Sequence, residues 1–129
     1  DWAKRNFNLN DLKSDAYTFI KADCIKWLIE QKHAEEKYDL IFLDPPTFSN
    51  SKSMEHAFDV QKDHVFLINS AMRLLNDNGQ LLFSNNFRKF RLDKKALPDF
   101  NIEDITQKTI PEDFKRNQKI HHCFKISFK

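Results

Sequence analysis

Apolar residues along this chain fall into short runs divided by polar turns, and the period changes from run to run. Residues 40–43, Leu-Ile-Phe-Leu, are unbroken and of strand length, which predicts a central strand buried on both faces, as parallel strands in α/β sheets are. Val60, His64, Leu67, Ile68, Ala71 and Leu75 form one stripe of an amphipathic helix. Asn76-Asp77-Asn78-Gly79 is expected to close that helix, with Gly79 or Asn78 in the left-handed cap conformation. Residues 80–84 predict the next strand, and Phe124, Ile126 and Phe128 alternate as a half-buried last one. Weaker signals are a helix end over 1–10, an aromatic and β-branched strand over 16–22, a short helix over 93–97 stopped by Pro98, and a strand over 102–109. Ile25, Leu28 and Ile29 share a helix face that begins just after Asp23, a residue type suited to an N-cap. Alternation of helix and strand predicts a doubly wound α/β sheet, mostly parallel, with an antiparallel last strand.

The most informative stretch follows the strand at 40–43. Asp44 ends it, and Pro45 and Pro46 lack the N–H that would extend a ladder, so the chain leaves the sheet there. A carboxylate is thereby held at the carboxyl end of a strand, where open α/β sheets bind their ligands. Phe48 follows, placed to stack on a flat ring; the alternative is a plain strand exit with a core phenylalanine. The strand at 80–84 is expected to bring Asn85 and Asn86 to the same sheet edge, as ligand amides or as an ordinary turn.

Composition adds three points. Cys24 and Cys123 form no disulfide framework and no zinc spacing, and no run is long enough to span a membrane, so a reducing, cytoplasmic setting is expected, with no metal and no membrane partner. Adjacent His121 and His122 are read as strand-entry residues, being poorly placed to share a metal. Gly79 is the only glycine where average usage of about 7% implies about nine. Phosphate and nucleotide loops are built on glycine, so residues 1–129 are expected to be the C-terminal portion of one larger domain whose first strands and glycine-rich loop lie upstream. Net charge is +2, but residues 1–79 hold 10 Lys/Arg against 13 Asp/Glu and residues 80–129 hold 11 against 6. The basic half, with Arg88, Arg91 and Arg116 and the interleaved Phe87-Arg88-Lys89-Phe90-Arg91, suits a polyanion such as RNA, or is a solvated lysine-rich surface.

The motifs Trp2-Ala3-x-x-Asn6-Phe7-x-Leu9-Asn10, Ala22-Asp23-Cys24, Asp44-Pro45-Pro46-Thr47-Phe48-Ser49-Asn50-Ser51-Lys52, Phe58-Asp59-Val60-Gln61, Phe83-Ser84-Asn85-Asn86 and Ile105-Thr106-Gln107-Lys108-Thr109 run in order over nearly the whole chain. This pattern resembles the class I S-adenosylmethionine-dependent methyltransferases, and within them the C-terminal part of the K-type, guanine-N7 half of the bacterial bifunctional 23S ribosomal RNA methyltransferases. The resemblance implies a Rossmann-like fold, S-adenosylmethionine as cofactor, 23S ribosomal RNA as partner and an upstream fused methyltransferase half. It implies that Asp23 and Cys24 meet the adenine, that Asp44 and Pro45 face the methionine moiety and target base, and that Phe48 stacks on that base. Asn85, Asn86, Arg88, Arg91 and Arg116 are the expected RNA contacts. Methylation at guanine N2 or cytosine C5, a non-catalytic RNA-binding module, and an ATPase built on a Walker B strand are the alternatives; no Walker A loop is present. On its own this segment is expected to be inactive, and the edge of its 40–43 strand to be covered by a displaced 16–22 strand or by self-association.

Overall fold

The computed structural model describes residues 2–12, 17–50, 57–117 and 120–129. Among them, helices α1 (Trp2–Leu9), α2 (Cys24–Glu30), α3 (Val60–Met72) and α4 (Thr106–Thr109) alternate with strands β1 (Tyr38–Leu43), β2 (Phe48–Ser49), β3 (Phe58–Asp59), β4 (Leu75–Asn85), β5 (Phe100–Asp104) and β6 (His122–Phe128). Four strands make one sheet in the order β1-β4-β6-β5, and β2 and β3 form a separate small hairpin. β1 is parallel to β4, while β6 is antiparallel to both β4 and β5. Three strands of the sheet therefore point one way and the last runs against them, the α/β arrangement that the alternating pattern predicts.

The core lies between α3 and one face of the sheet. Val60, Leu67, Ile68, Ala71 and Met72 pack with Leu81 and Phe83 of β4 and with Phe124 and Ile126 of β6, each large side chain contributing roughly 1.5–3 kcal/mol through burial. Asp59 caps α3 by accepting from Gln61 N at 2.9 Å, and Asp63 answers by accepting from Asp59 N at 2.8 Å. The polar member of the stripe, His64, is buried and fully used. Asp93 N donates to its Nε2 at 3.1 Å, so Nδ1 carries the proton and donates to Gln61 O at 2.9 Å.

Several elements depart from the sequence expectation. Ala16 lies outside the described residues, and 17–22 form no strand: their aromatic side chains turn to α1, where Phe7 meets Tyr17 and Phe19 edge-on at 4.8 and 4.9 Å. Residues 17–22 therefore do not cover the edge of the 40–43 strand as a displaced strand: among the described residues β1 lies at the edge of the sheet, unpaired on its outer side, and Leu40 and Phe42 are 60% and 65% exposed. An apolar run says that a strand wants cover on both faces; it cannot supply the covering element. The strand expected over 102–109 stops at Asp104, whose carboxylate accepts from Thr106 N at 2.9 Å and so turns the chain into α4. Residues 94–96 form a 3-10 turn capped by Asp93 in place of the expected short helix.

The largest local difference is at 76–79. Helix α3 ends at Met72, Leu75 already belongs to β4, and neither Asn78 nor Gly79 has a positive φ. Tyr38 pairs with Leu75 and Leu40 with Gln80, so β4 takes five steps where β1 takes two. The surplus bulges outward, tied by Asn76 Nδ2 donating to Asp39 Oδ1 at 2.6 Å. Gly79 is needed here for close approach and not for a left-handed turn, because a Cβ on it would lie 2.9 Å from Tyr38 O and 3.0 Å from Asn76 O, both backbone. Gly79→Ala should therefore destabilise the protein by about 1–3 kcal/mol through overpacking, read as a lower urea midpoint at unchanged m value.

Candidate active site

The sheet brings two strand ends to one edge. Leu43 is in register with Phe83, so the residue after β1, Asp44, comes alongside Ser84 of β4. Ser84 Oγ donates to Asp44 Oδ1 at 2.9 Å. Pro45 and Pro46 then carry the chain out of the sheet, Thr47 O accepts from Val60 N at 3.1 Å, and Thr47 Oγ1 donates to Asn86 Oδ1 at 3.2 Å. Phe48 projects beyond this turn, 63% exposed, with the Phe87 ring 6.3 Å away at 61°. The β2 to β3 pairing, Phe48 with Asp59 and Ser49 with Phe58, returns the chain to the start of α3. Ser51 and Lys52, the end of the motif at 44–52, lie outside the described residues.

The other wall comes from the start of α2. Asp23, in extended backbone, accepts from Ile25 N at 3.1 Å and Lys26 N at 3.2 Å, the N-cap role expected of it. Asp23, Cys24, Asp44, Pro45 and Pro46, together with the apolar Leu43, Phe58 and Leu67, line one cleft of about 380 Å³. That volume is within the range of roughly 300–1,000 Å³ typical of small-molecule sites, and an apolar floor with a few convergent polar groups is their usual chemistry. Burial, and then the neighbouring Asp23 carboxylate, push the Cys24 thiol above its ordinary range. The Cys123 thiol is likewise raised by burial, partly offset by a hydrogen bond with Thr109. Among the described residues no group of three His, Cys, Asp or Glu could hold a metal ion, and no helix is long and apolar enough to cross a membrane.

Of the residues singled out from the sequence, Asp23, Cys24, Asp44 and Pro45 are brought together in this cleft, and Phe48 stands beside it. Asn86 joins the turn through Thr47. Asn85 does not offer itself to an outside partner: it is 1% exposed, its Oδ1 accepts from Phe87 N at 3.1 Å, and it shapes the β4 exit from within. Arg88 and Arg91 are exposed on the next loop, which Gln61 anchors by accepting from Arg91 N and donating to Arg91 O, both at 2.9 Å. Arg116 is exposed in a separate loop after the 3-10 turn Glu112–Phe114. Ser84 and Phe87, which the sequence reading includes in motifs but assigns no role beside Asp44 and Phe48, stand next to those residues in the structure. That adjacency follows from the register of two parallel strands, which a hydrophobic pattern does not contain.

Comparison with known proteins gives a consistent picture. The chain is 54% identical over 125 residues to the ribosomal RNA large subunit methyltransferase K/L of Legionella pneumophila strain Corby, covering 97% of this chain and 17% of that protein. It is 53% identical over 126 residues to the protein of the same name from Cellvibrio japonicus, covering 98% and 16%. The chain thus spans about one sixth of the length of the curated relatives it matches. No family model matches. Among solved structures, a methyltransferase complexed with SAH superposes with a TM-score of 0.76 at 21% identity, over 96% of this chain and 35% of that one. A SAM-dependent methyltransferase from Agrobacterium tumefaciens superposes at 0.68 with 14% identity, over 98% and 44%.

The cap and the cleft share Asp23, and substitution separates the two roles. Asp23→Ala should cost about 1 kcal/mol of stability in chemical denaturation, whereas Asp23→Asn, which still accepts from the helix N–H groups, should cost a few tenths. Superposition at TM-scores of 0.76 and 0.68 over nearly the whole chain shows the fold: the chain has the Rossmann-like α/β fold of the methyltransferases it superposes on.

Proposed function

We propose that this chain is the C-terminal portion of the catalytic domain of an S-adenosylmethionine-dependent methyltransferase that modifies 23S ribosomal RNA, at guanine N7, within a longer protein that carries a second methyltransferase half upstream. The observation that carries this reading is the cleft that joins Asp23 and Cys24 at the head of α2 to Asp44 and Pro45 at the end of β1, in a chain 54% identical to a named ribosomal RNA methyltransferase. The cleft suits the cofactor: a carboxylate beside a backbone N–H at one end for the adenine, apolar walls for its rings, and Asp44 at the other end. When bound, S-adenosylmethionine supplies a methyl group on a sulfonium sulfur. Guanine N7 is an in-plane lone pair without a proton, so the protein's task is to align the two groups and exclude water, and no general base is needed. Asp44, held by Ser84, orients the reacting groups and stabilises positive charge as it appears on the base. Phe48 stacks on the target base, and Arg88, Arg91 and Arg116 engage phosphates.

Methylation of cytosine C5 needs a cysteine thiolate to add to the ring, and the elevated thiols of Cys24 and Cys123 argue against it. Nucleoside analysis of modified RNA, which separates N7-methylguanosine from N2-methylguanosine and 5-methylcytidine, is the decisive measurement of the target atom. In the complete protein Asp44→Ala should abolish methyl transfer while the far-ultraviolet circular dichroism stays unchanged, since Asp44 follows the end of its strand and lies outside the core; near-normal turnover would remove the site assignment.

RNA binding supplies an independent check. Charge reversal to Glu at Arg88, Arg91 and Arg116 should weaken RNA binding far more than cofactor binding and flatten the dependence of log K on log salt by about one unit for each phosphate no longer neutralised. An unchanged salt slope would return these arginines to ordinary surface.

A further inference from the structure

The exits of β1 and β4 meet three times in succession. Ser84 Oγ bonds Asp44 Oδ1 at 2.9 Å, Asn86 Oδ1 accepts from Thr47 Oγ1 at 3.2 Å, and the Phe87 ring stands 6.3 Å from Phe48, edge to face. The alternation of β4 explains the division of labour. Leu81, Phe83 and Asn85 are buried on the α3 side, so Ser84 falls on the other face, half-buried and level with Asp44. Beyond the strand, Asn85 accepts from Phe87 N and so sets the direction of the backbone that carries the Phe87 ring.

We propose that the β4 exit is a template for the β1 exit, with Ser84 the positioning residue for the Asp44 carboxylate and Phe87 the positioning residue for the Phe48 ring. This rests on the reading of Asp44 and Phe48 as the reactive-site residues. Among the described residues, the Ser84 hydroxyl is the hydrogen-bond donor that the structure gives to Asp44. One bond to one oxygen fixes the plane of the carboxylate and so the direction of the other oxygen. A carboxylate just past a strand end rotates freely without such a bond, and misplacement by about 1 Å at a reacting centre costs on the order of 100-fold in rate. Phe48, mostly exposed, likewise has rotational freedom that a ring against its edge removes. Aromatic pairs prefer this tilted contact at centroid separations of roughly 4.5–7 Å. The two positioning residues act on different quantities, Ser84 on the chemical step and Phe87 on capture of the base.

The test uses the complete protein with S-adenosylmethionine and a 23S ribosomal RNA transcript. Ser84→Ala should lower kcat about 10- to 100-fold with the KM for RNA within about twofold. Ser84→Thr, which keeps the hydroxyl, should recover most of it. Phe87→Ala should raise the KM for RNA about fivefold or more with cofactor affinity unchanged, and Phe87→Tyr should not. Wild-type kcat in Ser84→Ala, a loss that Ser84→Thr fails to recover, or wild-type RNA KM in Phe87→Ala would overturn the template. Asp44→Ala, run in parallel, separates this failure from that of the underlying reading. If Asp44→Ala is inactive while Ser84→Ala and Phe87→Ala are normal, the template alone is wrong; if Asp44→Ala turns over normally, the functional reading falls and the template with it.

Discussion

The parallel register of β1 on β4 is the constraint on which the rest of the site depends. Pairing Leu43 with Phe83 makes the two strands end level, and the two prolines force β1 out of the sheet one residue later. Both exits then leave from the same edge at the same height, so Asp44, Thr47 and Phe48 find Ser84, Asn86 and Phe87 opposite them. A slip of one residue would turn Ser84 toward the α3 core and put buried Phe83 or Asn85 where the hydroxyl is needed. At the far end of the same pair, the outward bulge at 76–79 absorbs the extra residues of β4. The one glycine of the chain serves that bulge and not a ligand loop.

Two kinds of side chain keep the edge rigid enough to act. Two side chains of α3 reach across to the next loop: buried His64 holds the segment at Asp93, and Gln61 grips the backbone of Arg91 from both sides. The Arg91 side chain is therefore carried by a backbone held at both its N–H and its carbonyl while its charged end stays in water. Remote from the cleft, an exposed network does similar work on the sheet. Glu103 of β5, with its carboxyl brought down to about 2 by hydrogen bonds from Lys108 and Lys125, links β5 to β6 and to α4.

Chemistry and geometry agree on what this cleft is suited to. It has a carboxylate hydrogen-bonded by Ser84, one thiol raised by burial and by the Asp23 carboxylate, and an aromatic ring beside it. The proposed transfer to a lone pair would call on these groups for positioning and charge stabilisation and not for a thiolate nucleophile.

The sequence by itself determined the elements whose signal is local. The Leu-Ile-Phe-Leu run, the Asp-Pro-Pro exit, the Asp23 cap, the stripe on α3 and the alternation in β6 each follow from neighbouring residues, because prolines, caps and periodic apolar faces act within a few positions along the chain. Asp44 and Pro45 were legible as site candidates for the same reason, whereas Cys24 and the ligand role of Asp23 entered only through the family resemblance. What required the tertiary structure was everything that depends on who lies alongside whom. Residues 17–22 read as a strand but pair with no described strand, β1 reads as buried on both faces but lies at the edge of the described sheet, and Asn85 reads as a ligand amide or a turn but is sealed beneath its own loop. Gly79 reads as a cap because glycine tolerates left-handed backbone, yet only the approach of the Tyr38 carbonyl, from a strand far back along the chain, explains it. The contacts of Ser84 with Asp44 and of Phe87 with Phe48 carry no local mark: they arise from strand register, a property of two segments 40 residues apart, and hydrogen bonds and ring contacts across such a distance are decided only when the sheet forms.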